Sequence, residues 1–318
     1  MSIISSNIKK AVGLLNQDKI IAIPTETVYG LAGNAFSETA IKSIFLLKQR
    51  PFFNPLIIHI KSKEYLHQVA KDIPENALKL AAVFWPGPLT MVLNKQANIP
   101  DLVTAGKPTV GVRMPDHPVA LELLESLNYP LAAPSANPFG CISPTKSIHV
   151  ADYFKSGLEM VLEGGSCSRG IESTIVGFKD NKTIIYRFGS IAVEEIEAIV
   201  GEVFYITKDD TAPEAPGMLT KHYAPKTKTF LTENVSQLLT ENQGKKIGLI
   251  LFDGKLDLKN TSEKIILSKN SNLLEAASNL YEAMHYLDKK NLDIIIAEKM
   301  PDVGVGKSIN DRLERATK

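Results

Sequence analysis

Residues 20–31 read IIAIPTETVYGL, residues 37–50 read SETAIKSIFLLKQR and residues 51–60 read PFFNPLIIHI. The apolar run Ile20 to Ile23 has the character of a buried strand. Pro24 cannot donate to a ladder, so the strand should stop there and present Thr25-Glu26-Thr27 at its end. In an α/β sheet, strand ends are where ligands gather. Ser37 with Glu38 opens a helix whose apolar face carries Ile41, Ile44, Phe45 and Leu47. Pro51 disfavours helix at the residue before it, so Lys48 and Arg50 fall where the helix stops. Leu56 to Ile60 predicts a second strand, with His59 near its end. From Thr39 to Lys63 there is no Asp or Glu, against four Lys, one Arg and one His. A pocket beside this segment would be cationic and would suit phosphate or carboxylate groups.

The chain has 318 residues, 44% hydrophobic and 22% charged, with a formal net charge of +1. That is enough length for two domains with cores. The charge balance supplies no overall field toward nucleic acid or membrane, so such binding would need a local patch. Residues 1–17 lack the apolar centre of a signal peptide and read as an amphipathic helix with Ile8, Val12 and Leu15 on one face. No window has the length of a membrane span. Two cysteines, Cys141 and Cys167, are too few for a disulfide framework or a zinc site, which makes a reducing cytoplasm the default compartment.

Strand and helix patterns alternate to about residue 206. A polar, helix-like stretch runs from Ile60 to Leu80. Rigid Pro/Gly pieces at 84–88 and 114–118 flank strands at Leu89–Leu93 and Thr109–Arg113. Val119–Leu127 and Ser190–Val200 read as helices. Residues 208–226 contain three prolines and one glycine without periodicity, the mark of a linker. The chain therefore divides into residues 1–207, a linker at 208–226 and residues 227–318. The last part repeats the α/β pattern, with strands at Lys246–Phe252 and Leu292–Ala297 and helices at Leu273–Leu287 and Ile309–Thr317. Gly306-Lys307-Ser308 imitates the end of a P-loop, but Pro301 stands where that motif needs glycine. No G-x-S-x-G, H-E-x-x-H or paired-cysteine motif occurs.

What remains is a set of polar side chains at strand ends, most of them flanked by rigid turns: Thr25, Thr27, Lys48, Arg50, Asn54, His59, Thr109, Arg113, Ser135, Asn137, Ser143, Ser173, Thr174 and Arg187. Preorganised groups of this kind serve phosphoryl transfer, in which positioning and charge matter more than covalent chemistry.

The runs PTETVYGL, K-x-R followed by NPL, WPGPLT, GVRMP, APSAN and ESTIV lie in order across residues 20–190 and resemble the threonylcarbamoyl-AMP synthase family. PGMLTKHYAP and GVGKSINDRLERA resemble its long, two-domain form. The resemblance implies a YrdC-like, twisted, open α/β sheet domain and a smaller Rossmann-like α/β C-terminal domain. It implies a nucleotidyltransferase that converts L-threonine, bicarbonate (or CO2) and ATP with Mg2+ to L-threonylcarbamoyladenylate and pyrophosphate. That product serves modification of the adenosine beside the tRNA anticodon, through downstream transferase proteins. Carried over by position, Lys48, Arg50, Ser135 and Asn137 form the K-x-R/S-x-N signature. Threonine contacts fall on Thr27, His59, Arg113, Ala133 and Ser173. ATP contacts fall on Arg50, Asn54, Thr109, Ser135, Ser143, Arg187 and, in the linker, Tyr223, with Lys48 and Arg50 facing the phosphates. Phe188, where the family usually has Pro, and the apolar Phe52-Phe53 depart from the pattern. Two other readings compete: a basic concave module that holds tRNA or double-stranded RNA without chemistry, and carbamoyl transfer in hydrogenase maturation, whose zinc-finger cysteines are missing here.

Overall fold

The computed structural model describes residues 3–207, 213–218, 223–256 and 262–318. Among these, the strands of the N-terminal domain are β1 (Ile4–Ser5), β2 (Ile21–Ile23), β3 (Gly30–Asn34), β4 (Ile57–His59), β5 (Ala70–Lys71), β6 (Leu89–Lys95), β7 (Thr109–Arg113), β8 (Leu131–Ala132), β9 (Val161–Leu162), β10 (Thr174–Lys179), β11 (Lys182–Arg187) and β12 (Val203–Tyr205). They form one mixed sheet in the order β1-β9-β2-β3-β8-β4-β7-β6-β10-β11-β12, with β5 on β6. The C-terminal strands are β13 (Thr229–Thr232), β14 (Ile247–Leu251), β15 (Glu263–Ile266) and β16 (Ile294–Glu298). They pair entirely in parallel, in the order β13-β16-β14-β15. Every residue of β14 is buried, as a parallel sheet covered on both faces requires.

The opening stretch behaves as read. Isoleucines keep β2 wholly buried, and the chain turns after Pro24 and returns antiparallel as β3, pairing Ile21 with Ala32. Thr25 to Tyr29 are thereby held at one end of the sheet. A Cβ on Gly30 would lie 3.2 Å from that of Ala133, so glycine lets the two backbones close up, and Leu31 N–H reaches Pro134 O at 2.7 Å. The register places His59 of β4 beside Arg113 of β7 and Ile58 opposite Ala132 of β8. The ends of the parallel strands β4 and β7 therefore lie side by side within the sheet, with antiparallel β8 next to them.

The helix Glu38–Lys48 starts at Ser37, whose hydroxyl accepts from Ala40 N–H at 3.2 Å. Gln49, in the left-handed region at φ 53°, ends it. Phe52 is half exposed and stacks on Phe45 with centroids 4.9 Å apart, which accounts for part of the apolar pair beside Arg50. The stretch from Ile60 to Leu80 is not one helix. It breaks into Leu66–Val69, the short β5 and a helix Glu75–Phe84 begun by Pro74, because proline can open a helix but not continue one. The helix read from Ser190 starts at Val193, and the Ser190 hydroxyl donates to Ile171 O instead of capping it. The last helix, Gly306–Ala316, begins earlier than its apolar pattern suggests. A Cβ on Gly306 would lie 2.0 Å from Pro301 O, so the glycine that imitates a P-loop is a packing requirement.

Residues 208–212 and 219–222 of the linker lie outside the described residues. Ala215 and Met218 are buried against the N-terminal domain and Tyr223 in a cluster shared with the C-terminal domain, so the described part is no solvent-crossing spacer. The domains meet over a seam that is apolar in part and polar in part. Lys307 reaches Glu194 and Lys289 reaches Asp152, while Ser308 Oγ donates to Gly189 O at 2.8 Å. His149 and His285 stack across the seam at 3.9 Å. Thr145 N–H donates to His149 Nδ1, and His285 Nε2 sits 3.1 Å from Ser143 O. Burial, then the charges of His285, Lys289 and Lys146, hold His149 at about 3. Burial, with Lys289, outweighs the Ser143 carbonyl and holds His285 at about 4. Both rings are neutral at pH 7, so His149 offers Glu282 a dipole, and the cation that pairs with Glu282 is Lys146 at 2.9 Å.

Below the ordinary value of 6.5 the unfolded chain takes up protons that the folded seam refuses, so stability declines as pH falls to about 3, through the folded values of His285 and then His149. Thermal unfolding midpoints should decline steadily over that interval, and His285→Gln should flatten the decline. A parent midpoint constant across it would contradict the neutral pair.

Candidate active site

A pocket with about 560 Å³ of empty space opens at the strand ends and is lined by Thr25, Thr27, Val28, Gly30, Arg50, Ile57, His59, Arg113, Ala133, Pro134, Ser135, Glu172, Ser173, Arg187, Pro216, Gly217 and Tyr223. Three of these are guanidinium groups and one is a carboxylate.

Arg113 closes one end. Its Nη1 donates to Thr27 Oγ1 at 2.8 Å and its Nε to Gly87 O at 3.3 Å. Its Nη2 lies 2.6 Å from Glu26 Oε1, an ion contact whose angle is not that of a hydrogen bond. Thr27 is fixed in turn by Thr25, whose hydroxyl is 2.9 Å from its own and also donates to Val28 O. Burial, then the Arg113 charge, pushes the neighbouring His59 down to about 3, so this imidazole is neutral. Its Nδ1 is buried beside Arg113 with no hydrogen-bond partner. Val28 and Ile57 supply apolar wall on the same lining.

Arg50 and Arg187 occupy the other side. Arg50 donates from Nε to Asn54 O at 3.0 Å and from Nη2 to Asn54 Oδ1 at 2.6 Å and Pro55 O at 2.7 Å. Asn54 thus does not line the pocket but aims Arg50. Arg187 donates to Ser173 O and Oγ from one side and to Pro216 O at 3.2 Å from the other, joining the wall to the linker. Burial and the nearby Arg187 lower the Arg50 pKa, yet a guanidinium keeps its proton at neutral pH. Ser173 Oγ is also 2.7 Å from Thr90 Oγ1.

Glu172, the lining carboxylate, is fully engaged. Ser143 Oγ donates to it at 2.6 Å, Tyr281 OH at 3.1 and 3.0 Å, and Arg312 Nε at 2.8 Å. Burial alone would raise its pKa; Arg312 and Arg187, with the hydrogen bonds from Ser143 and Arg312, reverse this and hold it at about 2. Ser143 therefore stands behind the lining. Among the described residues no group of three or more His, Cys, Asp or Glu could hold a metal ion.

Lys48 departs from expectation. It does not emerge at the helix end. It is buried, and its ammonium donates to the carbonyls of Ser135 and Asn137. Burial, then the Arg50 charge, lowers its pKa. Its work is to hold the 135–137 turn, and the Asn137 amide fastens the same turn through Pro138 O at 3.0 Å and Cys141 O at 2.8 Å. Thr109 begins β7, at the opposite end from Arg113, and is not part of the lining. Of the residues expected from sequence, Thr27, Arg50, His59, Arg113, Ala133, Ser135, Ser173, Arg187 and Tyr223 converge on the pocket, while Lys48, Asn54, Thr109, Asn137 and Ser143 do not line it. Glu172, Tyr281 and Arg312 were missed as members of the site. Glu172 stood in a quoted motif, but its partners lie 109 and 140 residues away.

Comparison with known proteins bears on this arrangement. The family model described as "Telomere recombination" matches residues 13–189, and that described as "Threonylcarbamoyl-AMP synthase, C-terminal domain" matches residues 191–317. The chain is 40% identical to the threonylcarbamoyl-AMP synthase of Pyrococcus abyssi, over 98% of its length and 94% of that protein. It is 38% identical to the threonylcarbamoyl-AMP synthase of Bacillus subtilis, over 97% of its length and 92% of that protein. The crystal structure of P. abyssi Sua5 complexed with L-threonine matches with a TM-score of 0.91 at 40% identity, covering 98% of this chain and 94% of that one.

The Lys48 clamp makes a prediction of its own. Lys48→Met leaves the Ser135 and Asn137 carbonyls buried without this donor, at about 1–3 kcal/mol each. Urea unfolding followed by the fluorescence of Trp85 should show a loss on the order of 3 kcal/mol. A variant as stable as the parent would mean that the turn is held by something else.

Proposed function

The chain belongs to the threonylcarbamoyl-AMP synthase family, and from that premise we propose how its pocket makes L-threonylcarbamoyladenylate and pyrophosphate from L-threonine, bicarbonate or CO2, and ATP. The observation that carries the assignment is the convergence of Arg50, Arg113 and Arg187, from three distant segments, on one concavity that also holds a neutral histidine and paired hydroxyls.

Threonine occupies the Arg113 end. Its carboxylate pairs with the guanidinium, and the Thr27 hydroxyl, already bonded to Arg113, supports it. The orphan Nδ1 of His59 accepts an N–H or O–H of the amino acid. With its pKa at about 3, His59 cannot take the ammonium proton at neutral pH, so it orients and does not act as the base. Val28 and Ile57 face the side-chain methyl.

The free amine of threonine bonds to the carbon of CO2 and loses a proton, giving a carbamate. A carbamate oxygen then attacks the α-phosphorus of ATP, the bond from that phosphorus to the bridging oxygen breaks, and pyrophosphate departs with the electron pair. Arg50 and Arg187 bind the phosphates and stabilise the charge that builds on them. The 135–137 turn, fixed by Lys48, presents Ser135 to the nucleotide. No enzyme nucleophile is required.

Mg2+ would come with the nucleotide. The lining carboxylate Glu172 already accepts from three side chains, and the remaining acceptors in the pocket are hydroxyls, carbonyls and the His59 imidazole. Hard oxygen ligands for Mg2+ are then phosphate oxygens and water, which is how this ion usually binds at phosphoryl-transfer sites. Its chemistry is to neutralise charge on the departing pyrophosphate. The adenylate is consumed by proteins that transfer the threonylcarbamoyl group to tRNA. No described helix is long and apolar enough to cross a membrane.

Pyrophosphate release should require threonine, bicarbonate and ATP together. Arg113→Lys removes the planar fork and should weaken threonine binding by about ten- to a hundredfold while leaving ATP binding unchanged, as measured by calorimetric titration of each ligand. Equal losses for both ligands would sink the division of the pocket into two ends.

A further inference from the structure

Arg312 lies on the last helix and is completely buried. Its Nε donates to Glu172 Oε2 at 2.8 Å, its Nη2 to Phe188 O at 2.6 Å and its Nη1 to Asp311 Oδ2 at 2.7 Å. Its guanidinium carbon stands 5.1 Å from the centroid of the Tyr223 ring, within reach of a cation–π contact. One side chain of the C-terminal domain thus touches the pocket wall, the turn that follows Arg187 and the linker residue that lines the pocket. Tyr281, from the same domain, stacks on Tyr223 at 5.8 Å and bonds Glu172 with its hydroxyl.

These contacts gather on one side of the pocket. Glu172 feels two cations, Arg312 and Arg187. A carboxylate out of water must be paired. While Arg312 pairs it, Arg187 is bound, among the described residues, to neutral oxygens, those of Ser173 and Pro216, and keeps its charge for an anion. Without Arg312, the buried carboxylate would draw on Arg187 and cancel that charge.

We propose that Arg312 is a positioning residue for the nucleotide half of the pocket: it neutralises Glu172, so that Arg187 stays available to phosphate, and it seats Tyr223 over the opening. The C-terminal domain thereby sets how well ATP binds. The inference rests on the synthase reading above.

The test compares full-length Arg312→Met and Arg312→Lys with the parent. Initial rates of threonine-dependent pyrophosphate release give KM for ATP and for threonine. Hydrogen exchange of the peptide spanning 223–226, where Ala224 N–H bonds Gly140 O at 2.8 Å, reports whether Tyr223 is seated. Arg312→Met should raise KM for ATP by about a hundredfold, leave KM for threonine near the parent value and speed exchange of that peptide. Arg312→Lys keeps a charge beside Glu172 but loses the planar contact with Tyr223, so its KM for ATP should fall between the two while exchange stays fast. An unchanged KM for ATP in folded Arg312→Met, or equal rises for both substrates, overturns the proposal. Should the methionine variant not fold, the lysine variant decides, and parental exchange in it also overturns the proposal. Parent protein that releases no threonine-dependent pyrophosphate would instead refute the synthase reading, and the exchange comparison would still decide whether Arg312 seats Tyr223.

Discussion

The molecule is governed by the need to keep positive charge out of water without cancelling it. Arg50, Arg113, Arg187 and Lys48 are each at most 6% exposed. Carboxylates would satisfy their N–H groups but would also neutralise them. The fold mostly uses neutral oxygens instead: Asn54 and Pro55 for Arg50, Ser173 and Pro216 for Arg187, and Ser135 and Asn137 for Lys48. Carbonyl dipoles answer the geometry of the donors and leave net charge in the pocket. Several of these acceptors lie at or beside prolines, where the backbone is stiff and the carbonyl cannot turn away. Arg113 is the exception, since Glu26 approaches it directly.

Much of this could be read from the sequence because rigid turns and strand ends leave local marks. Pro24 ended a strand, Ser37 capped a helix, and two short apolar runs marked β4 and β7, though not their pairing. The direction of Lys48 was also legible in hindsight. Ile41, Ile44, Phe45 and Lys48 share the i, i+3, i+4, i+7 spacing of one helical face, so the lysine belongs with the buried side. The weight given to Pro51 as a stop signal hid that. Pro74 likewise marked a helix start inside a run read as continuous. What no local pattern carries is pairing across long separations. Arg312 sits among charged residues on a helix of low hydrophobicity, and only the docking of that helix makes it a buried counter-ion.

The C-terminal domain is therefore part of the pocket's architecture. Val28, Ile142, Ile171 and Tyr223 belong to the same buried cluster as the core of that domain, so apolar packing and the Glu172 network cross the seam together. The linker is the third party. Pro216 accepts from Arg187, and a Cβ on Gly217, whose φ is +86°, would come within 2.7 Å of Arg187 Cδ. Wall, linker and second domain are fitted to one another closely enough that none can shift alone.

This has a consequence for the order in which the protein is made. Glu172 leaves the ribosome 140 residues before the guanidinium that will face it. At about 5–20 residues per second the interval is on the order of ten seconds. The first domain can assemble its sheet during that time, but its carboxylate must stay hydrated or hold a proton until the final helix arrives. In a nascent chain whose N-terminal half has folded by then, the pocket wall is still wet. The pocket wall is dry only once the helix Gly306–Ala316 has docked on Glu172.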